Sequence, residues 1–104
     1  MYQLSFYVPS SHLEIVKQAI FNAGAGRSKG YDRCSWQTLG NGQYRADKTC
    51  HPFLGEIGEL HEEKEWKVEC VVEDNCIHAV LKALLLSHPY EVPGYFLIKA
   101  EEVL

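Results

Sequence analysis

Near its end the chain places an imidazole, a phenol and a carboxylate within four residues, His88-Pro89-Tyr90-Glu91, and a second proline follows at Pro93. Proline disfavours helical geometry in the residue before it, so the two prolines predict stiff, extended backbone at His88 and Val92. Three chemistries are open to such a cluster. A neutral imidazole and a carboxylate bind borderline divalent cations, which makes His88 and Glu91 the candidate metal ligands. A protonated His88 beside Tyr90 suits an anionic metabolite instead. In a hydrolytic reading His88 is a base oriented by Glu91, with Cys34 or Cys50 as the nucleophile. A structural role competes with all three, because a histidine at a helix C-terminus is favoured by the dipole and can bind a terminal carbonyl.

Trp36, Gln37 and Arg45 extend the candidate ligand site of His88, Tyr90 and Glu91. Arg45 can pair a carboxylate or phosphate and Trp36 can offer a stacking face. Sheet packing for Trp36 and solvation for Gln37 and Arg45 are the competing roles. His12, His51, His61 and His78 read as surface groups. Cys34, Cys50, Cys70 and Cys76 form no C-x-x-C pair, so they read as free, mostly buried thiols in a reducing cytoplasm. No phosphate-binding loop is present, and Gly24-Ala25-Gly26 follows a helix instead of opening one.

The elements that must position these residues come in two similar halves. Tyr2, Leu4, Phe6 and Val8 alternate with polar residues, the period-two signature of a strand. Ser11 and Glu14 fit a capping box; Leu13, Val16, Ile20 and Ala23 form one apolar helix face, ended by Gly24 and Gly26. A second strand is expected over Tyr31 to Leu39. Trp66, Val68, Cys70 and Val72 then alternate, Asp74 is the expected cap of a helix carrying Ile77, Val80, Leu81, Leu84 and Leu85, and Tyr95 to Ala100 forms the last strand. This order predicts an α+β, ferredoxin-like split βαβ fold with a four-stranded antiparallel sheet and two helices on one face. Right-handed crossovers give the spatial order 4-1-3-2, with the second and fourth strands at the edges and Glu101 and Glu102 blunting the last. Tyr7, Trp36 and Val71 are expected on the uncovered face, which favours an oligomer. Between the halves, residues 40–62 form an excursion; Gly40-Asn41-Gly42 is expected to turn a hairpin tip, and Glu56-Ile57 to be a short extended piece between Gly55 and Gly58.

Composition bounds the class of function. A chain of 104 residues, 46% hydrophobic and 23% charged, reads as one globular domain over residues 1–104. A net charge of −4, with Arg27, Lys29 and Arg33 the single basic spot, argues against nucleic acid. No run of 18 apolar residues and no basic leader occurs, so neither a membrane nor secretion is expected.

Several uncommon strings occur in one order: Phe6-Tyr-Val-Pro9, Gly24-Ala-Gly-Arg27, Tyr31-Asp32, Cys34-Ser-Trp-Gln-Thr-Leu-Gly40, Gly42-Gln-Tyr-Arg45, Pro52-Phe53, Gly55-Glu56, Gly58 and His88-Pro-Tyr-Glu91. Together they resemble the YqfO-type insert domain of the family named after the yeast NGG-one-interacting factor three, also called dinuclear-metal hexameric proteins or type 2 GTP cyclohydrolase homologues. The tail His88 to Pro93 also resembles that of CutA, the divalent-cation tolerance protein, whose trimers of ferredoxin-like subunits are related in shape to PII signalling proteins. The resemblance implies a cytoplasmic homotrimer or larger assembly, with the chain read as the insert standing as a separate protein. The family's two metals are held by its core domain, for which this chain has no counterpart, so neither that site nor a hydrolase activity transfers. The expectation is a noncatalytic trimeric sensor or regulatory module taking a small ligand or a divalent cation between subunits. A small metal-dependent hydrolase and a protein-interaction scaffold are the alternatives.

Overall fold

The computed structural model describes residues 1–101. Its elements are β1 (Tyr2–Pro9), α1 (Leu13–Asn22), β2 (Trp36–Arg45), β3 (Leu60–Val72), α2 (Ile77–Ser87) and β4 (Tyr95–Lys99). The sheet is antiparallel throughout, in the order β2-β3-β1-β4, so β2 and β4 are the edges as expected. Alternation decides the faces. Leu4, Phe6 and Val8 pair with Cys70, Val68 and Trp66, and this side packs with Val16 and Ile20 of α1 and Val80 and Leu84 of α2 in one core. Each fully buried side chain of this size contributes about 1.5–3 kcal/mol. Leu85, expected on the same stripe, is 48% exposed, because the apolar arc of α2 is wider than the surface it covers.

The opposite face has no helix over it. Register aligns Trp36, Glu69, Ser5 and Phe96 in one row across all four strands, with Ile98, Gln3 and Val71 in the next. Trp36 and Phe96, at the two ends of the first row, are 64% and 63% exposed.

Four local expectations fail. Gly40-Asn41-Gly42 makes no turn: β2 runs straight through it, pairing Gly40 with Glu65 and Gly42 with Glu63 as far as Arg45 with Leu60. A two-residue hairpin turn of that type needs positive φ at both central residues, and neither Asn41 nor Gly42 has it. The two ends of the excursion, residues 40–45 and 60–62, are therefore ladder, and its loop is confined to residues 46–59. Within that loop Glu56-Ile57 turns instead of extending, with Gly55 and Gly58 both at φ 83°. The second strand starts at Trp36, not Tyr31, because Ser28 and Tyr31 close a tight bridge and Arg33 sits at φ 55°. The expected caps do not form either. Ser11 bonds the His12 ring, and each helix is entered through a short 3-10 turn, Ser10–His12 or Asp74–Cys76. Asp74 instead accepts from Lys99 Nζ at 2.8 Å, and with the nearby amino terminus this holds its carboxyl at about 2. The last strand stops at Lys99; Glu101 lies just beyond it and Glu102 lies outside the described residues.

All four cysteines are free, but only Cys70 is fully buried, and burial pushes its thiol up to about 12. Cys34 and Cys76 are half-buried and Cys50 is exposed, so the expectation of mostly buried thiols holds for one residue of the four.

Candidate functional site

The site begins where α2 ends. His88 leaves the helix at φ −74°, ψ 138°, the extended geometry that Pro89 demands, while its N–H still bonds Leu84 O at 3.0 Å. The turn carries the side chain inward, where it is 6% exposed. Its Nε2 lies 2.6 Å from the Tyr7 carbonyl, and its Nδ1 accepts the Tyr90 N–H at 3.1 Å. A carbonyl only accepts, so Nε2 carries the proton and the ring is the neutral tautomer with both nitrogens engaged. Burial lowers its pKa; the Tyr7 carbonyl opposes that and His12 adds to it. His88 is thus a strut between β1 and the α2–β4 connection, with no free lone pair to offer a metal.

What the strut positions is Tyr90. The two rings lie 4.8 Å apart, and the Tyr90 hydroxyl donates to Glu65 Oε2 of β3 at 3.2 Å. Burial and then Glu65 raise the Tyr90 pKa, and the same two causes raise that of Tyr44. Around Tyr90 opens a cleft of about 390 Å³ between the far end of the β2–β3 ladder and the α2–β4 connection. Its lining includes Tyr7, Tyr44, Arg45, Phe53, Glu65 and Glu91.

The loop between β2 and β3 supplies one wall. It is pulled across by three bonds: Tyr44 Oη donates to Leu54 O at 2.7 Å, Gly58 N to Ala46 O at 2.7 Å, and His51 N to Glu91 Oε2 at 2.8 Å. Phe53 then packs edge-on to His12 and lies 6.1 Å from the Tyr90 ring. Gly42 has a purpose in this arrangement that its sequence context hides. A β-carbon there would overlap the Glu65 carboxylate, so the missing side chain is the space that carboxylate occupies while it accepts from Tyr90. Gly42→Ala is expected to displace that carboxylate and shift the Tyr90 ring signals in an NMR spectrum. Because the obstructing group is the movable end of a side chain, stability should change by no more than about 1 kcal/mol. Unaltered Tyr90 signals would refute this account of Gly42.

Three of the six ligand candidates meet in the cleft: Arg45, Tyr90 and Glu91. His88 stands behind it. Gln37 lies on the helix side of β2, accepting from Lys17 Nζ at 2.8 Å, and Trp36 lines a separate groove with Tyr7, Thr38 and Lys67. Among the described residues no three of His, Cys, Asp and Glu converge on a point that would hold a metal ion. Sequence reasoning missed Tyr44, Phe53 and Glu65. The local turn signal at Asn41-Gly42 masks the long-range register that sets Tyr44 opposite His61.

No protein-family model matches the chain. It is 35% identical over 95 residues to the GTP cyclohydrolase 1 type 2 homolog of Halalkalibacterium halodurans, covering 91% of this chain and 26% of that protein. The proteins of the same name from Mycobacterium leprae and Bacillus subtilis are 39% identical over 89 residues and 36% over 100, covering 86% and 96% of this chain but 23% and 27% of theirs. The chain thus spans about a quarter of the length of these relatives. Among solved structures it superposes on a Bacillus cereus protein related to NIF3 with a TM-score of 0.80 at 27% identity, covering 97% of this chain and 26% of that one. The PII-like CutA of Nostoc and CutA of Xylella fastidiosa give TM-scores of 0.68 and 0.71 at 18% and 17% identity, covering 97% and 99% of this chain and 82% and 86% of theirs. The chain is therefore related over most of its length to the YqfO-type domain of the NIF3-related GTP cyclohydrolase 1 type 2 homologues, in a fold shared with CutA.

Proposed function

We propose that the protein is a noncatalytic binding module that assembles as a homotrimer and takes a small ligand in the Tyr44–Phe53–Tyr90 cleft. The observation carrying the reading is the cleft itself: a concave, mostly apolar site that includes the rings of Tyr7, Tyr44, Phe53 and Tyr90 with a few polar groups, braced from behind by a buried histidine. Of the two ligand classes expected, an organic molecule fits better than a divalent cation. A CutA neighbour from Archaeoglobus fulgidus is named a divalent cation tolerance protein. In this chain, however, the imidazole of the expected metal pair has both nitrogens in protein hydrogen bonds, and Glu91 Oε2 already accepts from His51. The hydrolytic alternative loses the same imidazole as its base.

Assembly is supported by the uncovered sheet face, where Trp36, Phe96 and Ile98 stand exposed with no helix over them, and three subunits is the number that the resemblance to CutA implies. Light scattering at micromolar concentration is expected to return about three times the chain mass of 11.8 kDa. A clean monomer removes assembly from the reading. For the cleft, a library of small fragments followed through the NMR signals of Tyr44, Phe53 and Tyr90 is expected to contain binders. If no fragment moves any of those rings, the cleft is not a binding site.

A further inference from the structure

Resting on that reading of the cleft, we propose that its ligand is an organic cation: an ammonium group, methylated or substituted, on a small apolar body. Three features of the lining converge on this chemistry.

The first is the aromatic wall. The Tyr44 and Phe53 rings stand 6.3 and 6.1 Å from Tyr90, tilted 60° and 50° to it, so the three planes meet at angles instead of stacking flat. Tilted rings around one space present several negative π faces to a guest, the geometry that attracts a cation stripped of some of its water. The second is where the phenolic protons go. Tyr44 donates to the Leu54 carbonyl and Tyr90 to Glu65, both within the protein. Of the three cleft tyrosines, an anionic guest would therefore find the hydroxyls of Tyr44 and Tyr90 unavailable as donors and only that of Tyr7 to turn to, while a cation needs none of them.

The third is charge. Glu65 and Glu91 line the cleft against the exposed guanidinium of Arg45 and the His51 ring, whose Nδ1 lies 3.8 Å from Glu91 Oε2, so among the described residues Glu65 is the carboxylate of the two with no cationic partner beside it. Glu63, two residues along the same face of β3, adds to the negative field from beside His61, opposite Tyr44. Gly42 gains significance here, because it is the gap at Gly42 that lets the Glu65 carboxylate lie next to the aromatic wall. A phosphate or carboxylate ligand would meet this field with Arg45 as its one strong partner. A divalent metal ion would use the carboxylates and gain little from the rings. An organic cation uses both.

The test compares three molecules of one shape: choline, its neutral carbon isostere dimethylbutanol, and the matching anion dimethylbutanoate. Each is titrated into the full chain and followed by the ring signals of Tyr44, Phe53 and Tyr90. Choline is expected to bind about 10-fold more tightly than the neutral isostere, and the anion more weakly than both. Glu65→Gln, whose amide oxygen still accepts from Tyr90, should weaken choline by about 3- to 10-fold and leave dimethylbutanol unchanged. Tyr90→Leu should reduce the preference for choline over its isostere in the same direction. Equal or tighter binding of the neutral isostere or the anion overturns the cation assignment while leaving the cleft a binding site. Silence from all three also overturns it, and the fragment screen then decides whether the cleft binds anything at all.

Discussion

His88→Ala is expected to destabilise the fold by about 3 kcal/mol, as measured by urea denaturation. Truncation leaves a cavity and strands two groups: the Tyr7 carbonyl, 2.6 Å from Nε2, and the Tyr90 N–H, 3.1 Å from Nδ1. Tyr7 directs its N–H to Gly94, the neighbouring acceptor on the same side of β1, so the strand's end loses half of its attachment to the α2–β4 connection. His88→Gln should recover part of the loss, since an amide can still donate toward Tyr7. The same imidazole makes stability depend on pH. Burial lowers its folded pKa from an ordinary 6.5, so below that value the unfolded chain takes up a proton that the fold refuses. Stability should therefore fall as pH drops from about 6.5 toward the depressed folded value, and His88→Gln should remove this contribution. A loss under about 1 kcal/mol, with an unchanged pH slope, would show that His88 is not the strut described here. The point matters for function, because ligand binding lost in His88→Ala would report a collapsed wall and not a missing ligand. Glu65 and Tyr90 are the residues through which the cleft should be probed.

The second large effect lies at Gly26, well away from the cleft. This residue has φ 78°, donates to the Val71 carbonyl at 2.9 Å and accepts from Cys34 N at 2.8 Å. It thereby ties the connection after α1 to the edge of β3 just before β2 begins. A β-carbon would lie 2.7 Å from Cys34 O and 2.8 Å from Cys34 N, both backbone atoms that cannot swing aside. Gly26→Ala combines this clash with a left-handed backbone and is expected to cost about 3 kcal/mol or more, read as a lower urea midpoint. A change within about 0.5 kcal/mol would mean that the connection can reseat itself without Gly26. The contrast with Gly42→Ala is physical: there the obstacle is a carboxylate at the end of a flexible side chain, here it is the chain itself.

Much of the architecture was legible because it rests on local periodicity. Leu4, Phe6 and Val8 alternate, and so do Val68, Cys70 and Val72; burial on one face of a sheet requires that period and no other, and the structure buries all six. The offsets Val80 and Leu84 likewise marked the inner face of α2. Pro89 announced the extended backbone at His88 by sterics within a dipeptide. Local signals failed where a distant segment competed. Asn41-Gly42 is a strong turn pair in isolation, yet thirteen residues of β3, Leu60–Val72, offered β2 a ladder that holds it extended. Ser11 and Asp74 are good caps in isolation, yet each found another partner, the His12 ring and Lys99.

By itself, then, the sequence determined the order of the elements, the face each strand buries, the edges of the sheet and the stiff turn that ends α2. These follow from side-chain period and backbone sterics, which act over a few residues. Only the tertiary structure decided what that turn is for. It drew His88 inward to Tyr7, 81 residues away, set the Glu65 carboxylate over Gly42 within reach of Tyr90, and folded Phe53 against Tyr90. Contacts between such distant positions are selected by the packing of the whole chain, and no local pattern encodes them.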